Sequence, residues 1–220
     1  MINANPLLHS ASLVSITPSA EETIAYCARV SNPTNQKNHE TVDKLLGYCI
    51  RHGHWSIFEM ANLVVEINTT RAISPQILRH RSFSFQEFSQ RYSRVSDLGG
   101  LDLPHLRRQD HTNRQNSHDD LKPEDTQLFY RRIAQHYAEA EDLYEEMVSK
   151  GIAKECAREV LPLSSPTRLY MNGTIRSWIH YLELRTGNGT QMEHRIIAEA
   201  VKGIFTANLP IISKALSWNN

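Results

Sequence analysis

"ANLVVEINTT" (residues 61–70) sets Leu63, Val65 and Ile67 on one side of an extended chain and Val64, Glu66 and Asn68 on the other. This period of two, carried largely by β-branched residues, predicts a strand. Working outward toward the N-terminus, "SLVSIT" (12–17) reads as a second short strand. Ser19 and Glu21–Glu22 open a helical pattern running to about Arg29, and a further helix is expected from His39 to Arg51. On the other side, Thr70 is placed to cap a short helix ending near Arg79.

Beyond residue 125 the period changes. Phe129, Ile133, Tyr137, Ala140, Tyr144 and Met147 recur every three or four positions, predicting a long amphipathic helix over 126–150. A shorter helix is expected over 152–162, stopped by Pro162. In 175–185, Ile175, Trp178, Ile179 and Leu182 share one face while Arg176, His180 and Glu183 share another. The last helix has the clearest period, through Ile196, Ile197, Ala200, Val201, Ile204 and Phe205. Helices outnumber strands and the strands are dispersed. The expected fold class is therefore α+β (mixed α/β): a single domain over 1–220 with a modest, largely antiparallel sheet packed with long helices. Residues 97–125 are polar, contain Gly, Pro and Asn and show no period. They are read as one long loop, either a lid over a cleft or a surface loop.

The chain has 220 residues, 40% hydrophobic and 22% charged, with 24 basic and 24 acidic side chains. The balance of charge weighs against a protein whose work is to grip a nucleic-acid backbone, although arginines with interleaved aromatics keep a nucleic-acid-binding module as the competing reading. The N-terminal stretch has no basic region followed by an apolar run, and no window is long and apolar enough for a membrane span. Cys27, Cys49 and Cys156 are isolated, which argues against a disulfide framework and a zinc ribbon and for a reducing, cytoplasmic setting.

The chemistry concentrates in "RHRSFSFQEFSQRYSR" (79–94), where four arginines stand among three phenylalanines and a tyrosine. Guanidinium groups grip phosphate through a planar fork, and Arg79 and Arg81 together can neutralise a dianion or pyrophosphate. Ser89 and Arg91 are natural companions of such a site. Phe83, Phe85, Phe88 and Tyr92 are expected to anchor the segment in the core. The plainer alternative is a solvated ion-pair network around Glu87. No phosphate-binding glycine loop is present: "GG" (99–100) and "GNG" (187–189) are too short for one. His52 and His54 lack a third metal ligand at a recognisable spacing, and "QMEHR" (191–195) lacks the second histidine of a zinc-protease motif. Neither Ser89 nor any cysteine has the setting of an activated nucleophile. Cofactor chemistry is the remaining reading, with the protein supplying orientation and charge. Arg185, closing the helix that carries Trp178 and Leu182, is either an arginine reaching to solvent or a cation held against a polarisable ring.

These residues resemble the flavin-dependent thymidylate synthases. "RHRSFSFQEFSQRYS" is similar to the family pattern RHRxxSxNxxSxRY, and "HGHWSIFE" (52–59), "CAREVLPLSSPTRLY" (156–170), "IRSWIHYLELR" and "QMEHR" resemble further family segments in the same order. The resemblance implies FAD contacts from Arg79, His80 and Arg81, with Ser56, Glu87, Thr174, Arg176 and His180 completing the flavin surroundings. It implies dUMP contacts from Gln76, Arg79, Glu87, Ser89 and Gln90, and from Arg91, Arg158 and Arg185. Arg185 would be the catalytic arginine that faces the pyrimidine and favours ionisation of its ring nitrogen. The implied reaction is reductive methylation of dUMP to dTMP, with NADPH and 5,10-methylenetetrahydrofolate as co-substrates, in a homotetramer whose active sites lie at subunit interfaces. The chain departs from the pattern at Gln86 (Asn in the pattern), at Met60 (where His is common), at Thr174 and His180, and at Asn188–Gly189 in place of a frequent Ser-His pair.

Overall fold

The computed structural model describes residues 8–99 and 103–218. Its main sheet has four antiparallel strands in the order β1 (Ser10–Ile16), β2 (Asn62–Thr70), β6 (Pro166–Thr174) and β3 (Ser84–Glu87). A second, two-stranded ribbon joins β4 (Arg108–Gln109) to β5 (Ser117–His118). The helices are α1 (Ala20–Ala28), α2 (Val42–Arg51), α3 (Ser74–Leu78), α4 (Pro123–Ser149), α5 (Lys154–Ala157), α6 (Ile175–Arg185), α7 (Met192–Asn208) and α8 (Pro210–Ala215).

The alternation in β2 decides the sheet's two faces. Leu63, Val65 and Ile67 are fully buried, as are Leu169 and Met171 of β6. On the opposite face Glu66 lies directly across from Tyr170, and Asn68 across from Arg168. The Tyr170 hydroxyl donates to Glu66 at 2.9 Å, and Arg168 Nε donates to Asn68 Oδ1 at 2.9 Å. One apolar face and one polar, cross-linked face are what an antiparallel sheet covered on a single side requires. The apolar face is covered by α6 and α7, whose Trp178, Ile179, Leu182, Ile197, Val201 and Phe205 join the same core cluster. Trp178 is fully buried and its indole N–H donates to the Leu63 carbonyl at 2.9 Å, tying α6 to β2.

Several expectations need correction. The central strand β6 was not anticipated, because its polar outer residues Arg168, Tyr170 and Asn172 dilute the apolar period. Thr70 ends β2 and caps nothing; α3 begins at Ser74 after a one-turn reversal, with Pro75 in its first turn. The helix expected over 152–162 is only α5 followed by a tight turn at Arg158–Val160, and Leu161 is extended, as a residue preceding proline prefers. Segment 97–125 is not one structureless loop: it contains the β4–β5 hairpin, while its residues 100–102 lie outside the described residues. Within α4 the apolar stripe is only partly used. Ala140 and Tyr144 are buried, whereas Phe129 is 47% exposed.

Phe83 is buried, stacked edge-on against Trp178 with centroids 4.7 Å apart. It lies over Gly173, where an added Cβ would stand 2.4 Å from the Phe83 ring. Gly173 is thus the gap that seats the Phe83 ring where the arginine-rich segment enters the edge strand β3. Gly173→Ala is expected to lower stability by roughly 1–3 kcal/mol through overpacking, measured by denaturant unfolding.

Candidate active site

Two clefts flank the arginine-rich segment. The first, of about 510 Å³, is lined by Trp55, Glu59, Ser82, Arg176, Ser177, Ile179, His180 and Glu183. Helix spacing in α6 brings Arg176, His180 and Glu183 to its wall, the face that the sequence set apart from the core. Thr174 begins this helix as its N-cap, its hydroxyl accepting from the Ser177 N–H at 3.2 Å. Ser56 is exposed in the single-turn helix Trp55–Glu59, which contributes Trp55 and Glu59 to the same cleft. Arg176 is ion-paired with Glu59 across it.

The second cleft, of about 490 Å³, joins Gln76 and Arg185 to the hairpin residues Arg107, Gln109, Arg114, Asn116 and Ser117. Gln76 donates to Gln191 Oε1 at 2.7 Å. The hairpin is pinned at its root, where the Arg107 guanidinium reaches both carboxylate oxygens of Glu193 at 2.6 and 3.0 Å. Its turn is organised by Asp110. Backbone N–H groups of Asn113 and Thr112, then the side chains of Asn116 and Thr112, hold that carboxyl far below the usual carboxylate range.

His80 stands next to Arg185 of the second cleft, and Arg185 Nε donates to His80 Nε2 at 2.9 Å. Behind it the Tyr181 ring meets the His80 ring edge-on at 4.8 Å, and the Tyr181 hydroxyl lies 3.0 Å from His194 Nε2. Tyr181 and His194 are fully buried, and no sequence signal pointed to either as part of the site. Burial, followed by the charge of Arg185, lowers His80 to about 4 and His194 to about 3. Burial likewise pushes the Tyr181 phenol up.

Glu87, at the end of β3, is held by Ser74, Thr167 and Arg71, whose donors lie 2.7, 2.9 and 2.8 Å from its Oε1. The expected alternative of a solvated network around Glu87 therefore does not form from the cluster's own arginines. Arg79 and Arg81 are exposed, and their side chains make no hydrogen bond or ion pair among the described residues. Two unspent guanidinium groups two residues apart could each donate to an anionic ligand. Gln90 is 6% exposed, and its buried Nε2 has no partner. A buried donor left open in this way fits a ligand acceptor. Tyr92, expected in the core, is 78% exposed, because β3 has ended and the chain turns at Ser89.

Ser89, Arg91 and Arg158 form a third group. Arg91 Nε pairs with the Glu155 carboxylate at 2.8 Å, and Arg158 Nε donates to the Glu155 carbonyl at 3.2 Å. Neither arginine lines the cleft that holds Gln76 and Arg185. Residues such as Arg71, Ser74 and Thr167, which position Glu87, escaped the sequence reading because β6 and the β2–α3 reversal bring them together.

The two lowered imidazoles make the fold acid-sensitive. The unfolded chain takes up protons on His80 and His194 near the ordinary value of about 6.5, whereas the folded chain resists them until about 4 and about 3. Unfolding therefore binds protons below about pH 6.5, and stability is lost as pH falls through that window. Melting temperature is expected to drop between about pH 6.5 and 5, before most carboxylates titrate, and to drop less steeply in His194→Leu.

Comparison with known proteins identifies the family. The family described as "Thymidylate synthase complementing protein" matches residues 12–211. A probable flavin-dependent thymidylate synthase of Paramecium bursaria Chlorella virus 1 is 56% identical, covering 95% of this chain and 99% of its own. The flavin-dependent thymidylate synthase of Synechocystis is 54% identical and covers 91% of each. Among solved structures, the UMP/dUMP methylase PolB of Streptomyces cacaoi bound with 5-Br UMP superposes with a TM-score of 0.83 at 26% identity, over 94% of this chain and 93% of that one. With the family match spanning nearly the whole fold and both clefts, the chain belongs to the flavin-dependent thymidylate synthases.

Proposed function

We propose that this chain methylates dUMP reductively to dTMP. The carbon comes from 5,10-methylenetetrahydrofolate and the reducing equivalents come from NADPH through bound FAD. The observation that carries this reading is the Arg185–His80 bond. It places the arginine that the family resemblance assigns to the pyrimidine against a histidine that it assigns to the flavin, at the edge of a cleft shared with Gln76.

Reduced FAD, when bound, supplies the hydride. The chain's own residues bind and orient. Arg79 and Arg81 neutralise the cofactor's phosphates, while Ser56, Thr174, Arg176 and His180 line or support the cleft beside them. Glu87, fixed by Arg71, Ser74 and Thr167, offers its carboxylate as an acceptor between the two ligands. Gln76 and Gln90 present amides to the uracil and ribose, and Ser89, Arg91 and Arg158 take the nucleotide phosphate, which would displace Glu155 from Arg91. Arg185 holds positive charge against the pyrimidine and lowers the cost of losing its ring proton. No side-chain nucleophile is required for this chemistry.

The separation of Arg91 and Arg158 from the Gln76–Arg185 cleft supports a homotetramer in which neighbouring subunits bring the two groups together. Leu128, Phe129 and Leu143 of α4, all more than 40% exposed, offer an apolar surface for such contacts. The β4–β5 hairpin then closes the substrate cleft as a wall with a pinned root, its Arg114 side chain making no hydrogen bond or ion pair among the described residues.

Titration of the FAD-loaded protein with dUMP is expected to shift the visible flavin spectrum to saturation. Arg185→Ala should retain flavin and lose about 10²-fold or more in turnover. A spectrum indifferent to dUMP, or full turnover without Arg185, would reject the assignment. Replacing residues 110–116 by a two-residue Asn-Gly turn should leave flavin binding intact and raise the KM of at least one substrate; unchanged steady-state kinetics would remove the hairpin from the site.

A further inference from the structure

Arg185 can donate through Nε and through two Nη groups, and its Nε–H is already spent on His80 Nε2 at 2.9 Å. That bond fixes the plane of the guanidinium relative to its stem and leaves the Nη edge for a planar ligand. It also fixes the chemistry of His80. An imidazole that accepts at Nε2 must be neutral and must carry its proton on Nδ1.

The surroundings enforce that state. His80 is faced from α6 by Arg185, His180 and Tyr181 and from α7 by His194, while Arg79 and Arg81 flank it in the chain. No carboxylate is among these groups, so none of them favours an imidazolium. The Tyr181 ring stands perpendicular to His80, at an interplanar angle of 80°. Tyr181 cannot tilt away without breaking its contact with His194, whose ring is fully buried and whose Nδ1 has no partner. A buried aromatic pair joined by a hydrogen bond is a rigid support, since moving either ring would leave a second polar atom unpaired in the core.

We infer that His80 is a positioning residue for Arg185, and that the Tyr181–His194 pair is the floor that keeps His80 in place as an acceptor. His80 thus acts on the pyrimidine through the guanidinium, in addition to any contact with the flavin. The inference rests on the proposed reading that Arg185 meets the pyrimidine of dUMP.

The test is a double-mutant cycle on the FAD-loaded enzyme at saturating flavin, with kcat and the KM for dUMP measured separately. His80→Leu is expected to lower kcat by about 10- to 100-fold. His80→Gln, whose amide oxygen can still accept, should recover most of that loss. Combined with Arg185→Lys, His80→Leu should add little beyond the lysine variant alone, because both remove the same bond. Losses that multiply, or a His80→Leu variant defective only in flavin affinity, would overturn the inference. Tyr181→Phe keeps the ring and loses the hydroxyl; it should move the acid limb of kcat/KM to higher pH, and an unmoved limb would remove the floor from the proposal. NMR of isotope-labelled histidine should show the Nδ1–H tautomer of His80 in the wild type and its loss in Arg185→Lys. This readout does not require turnover. A wild type that shows the tautomer and makes no dTMP would refute the reaction and leave the positioning intact, whereas an active wild type without the tautomer would refute the positioning.

Discussion

The pairing of β2 with β6 is the constraint on which the site depends. The two strands match residue for residue, from Asn62 opposite Thr174 to Thr70 opposite Pro166. Each strand runs into an element carrying a functional side chain: β2 leads through α3 to Arg79 and His80, and β6 leads without a break into α6, which ends at Arg185. The register therefore sets the distance between His80 and Arg185. A slip of one residue would turn Leu63, Val65 and Ile67 outward and would also separate the histidine from the arginine.

Around that pairing, apolar burial and polar function are interleaved at the level of single residues. Phe83 is a core residue, lodged over Gly173 and against Trp178, while its neighbours Arg81 and Ser82 face solvent and the first cleft. Arginines and phenylalanines share one segment because it runs along the sheet edge as β3, with Phe83 turned into the core and Arg79 and Arg81 left at the surface. The alternation lasts only as long as β3. Past Glu87 the chain turns, and Tyr92 swings to the surface although its composition suggested the core.

The electrostatics of the interior follow the same logic. Beneath Arg185 the fold gathers the half-buried His80 and the buried Tyr181 and His194, and no carboxylate among the described residues pairs with them, so all three stay neutral and the guanidinium carries the charge of the group. Elsewhere several arginines are neutralised by acids, Arg107 by Glu193, Arg94 by Glu145 and Arg91 by Glu155. Cations left unpaired among the described residues, Arg79 and Arg81, stand where an anionic ligand is expected.

The sequence by itself determined the elements whose period is strong and whose surroundings are simple. Strand β2 was legible from its alternation, α6 to the residue from its apolar face, and the ligand-binding segment from the density of its arginines. It determined the family as well, because RHR, Ser89 and Arg91 all lie within one short segment of the chain. What only the tertiary structure decided are the relations between distant residues. Strand β6 was hidden because its outer face is polar, and with it went Thr167, one of the partners of Glu87. Tyr181 and His194 looked like ordinary helical positions, and only the packing of α6 on α7 brings them together beneath His80. The hairpin within 97–125 has too few residues per strand to show a period, and its place beside Arg185 comes from the long-range pairing of Arg107 with Glu193. Periodicity reports which face of an element is buried; it carries no information about which other face it meets.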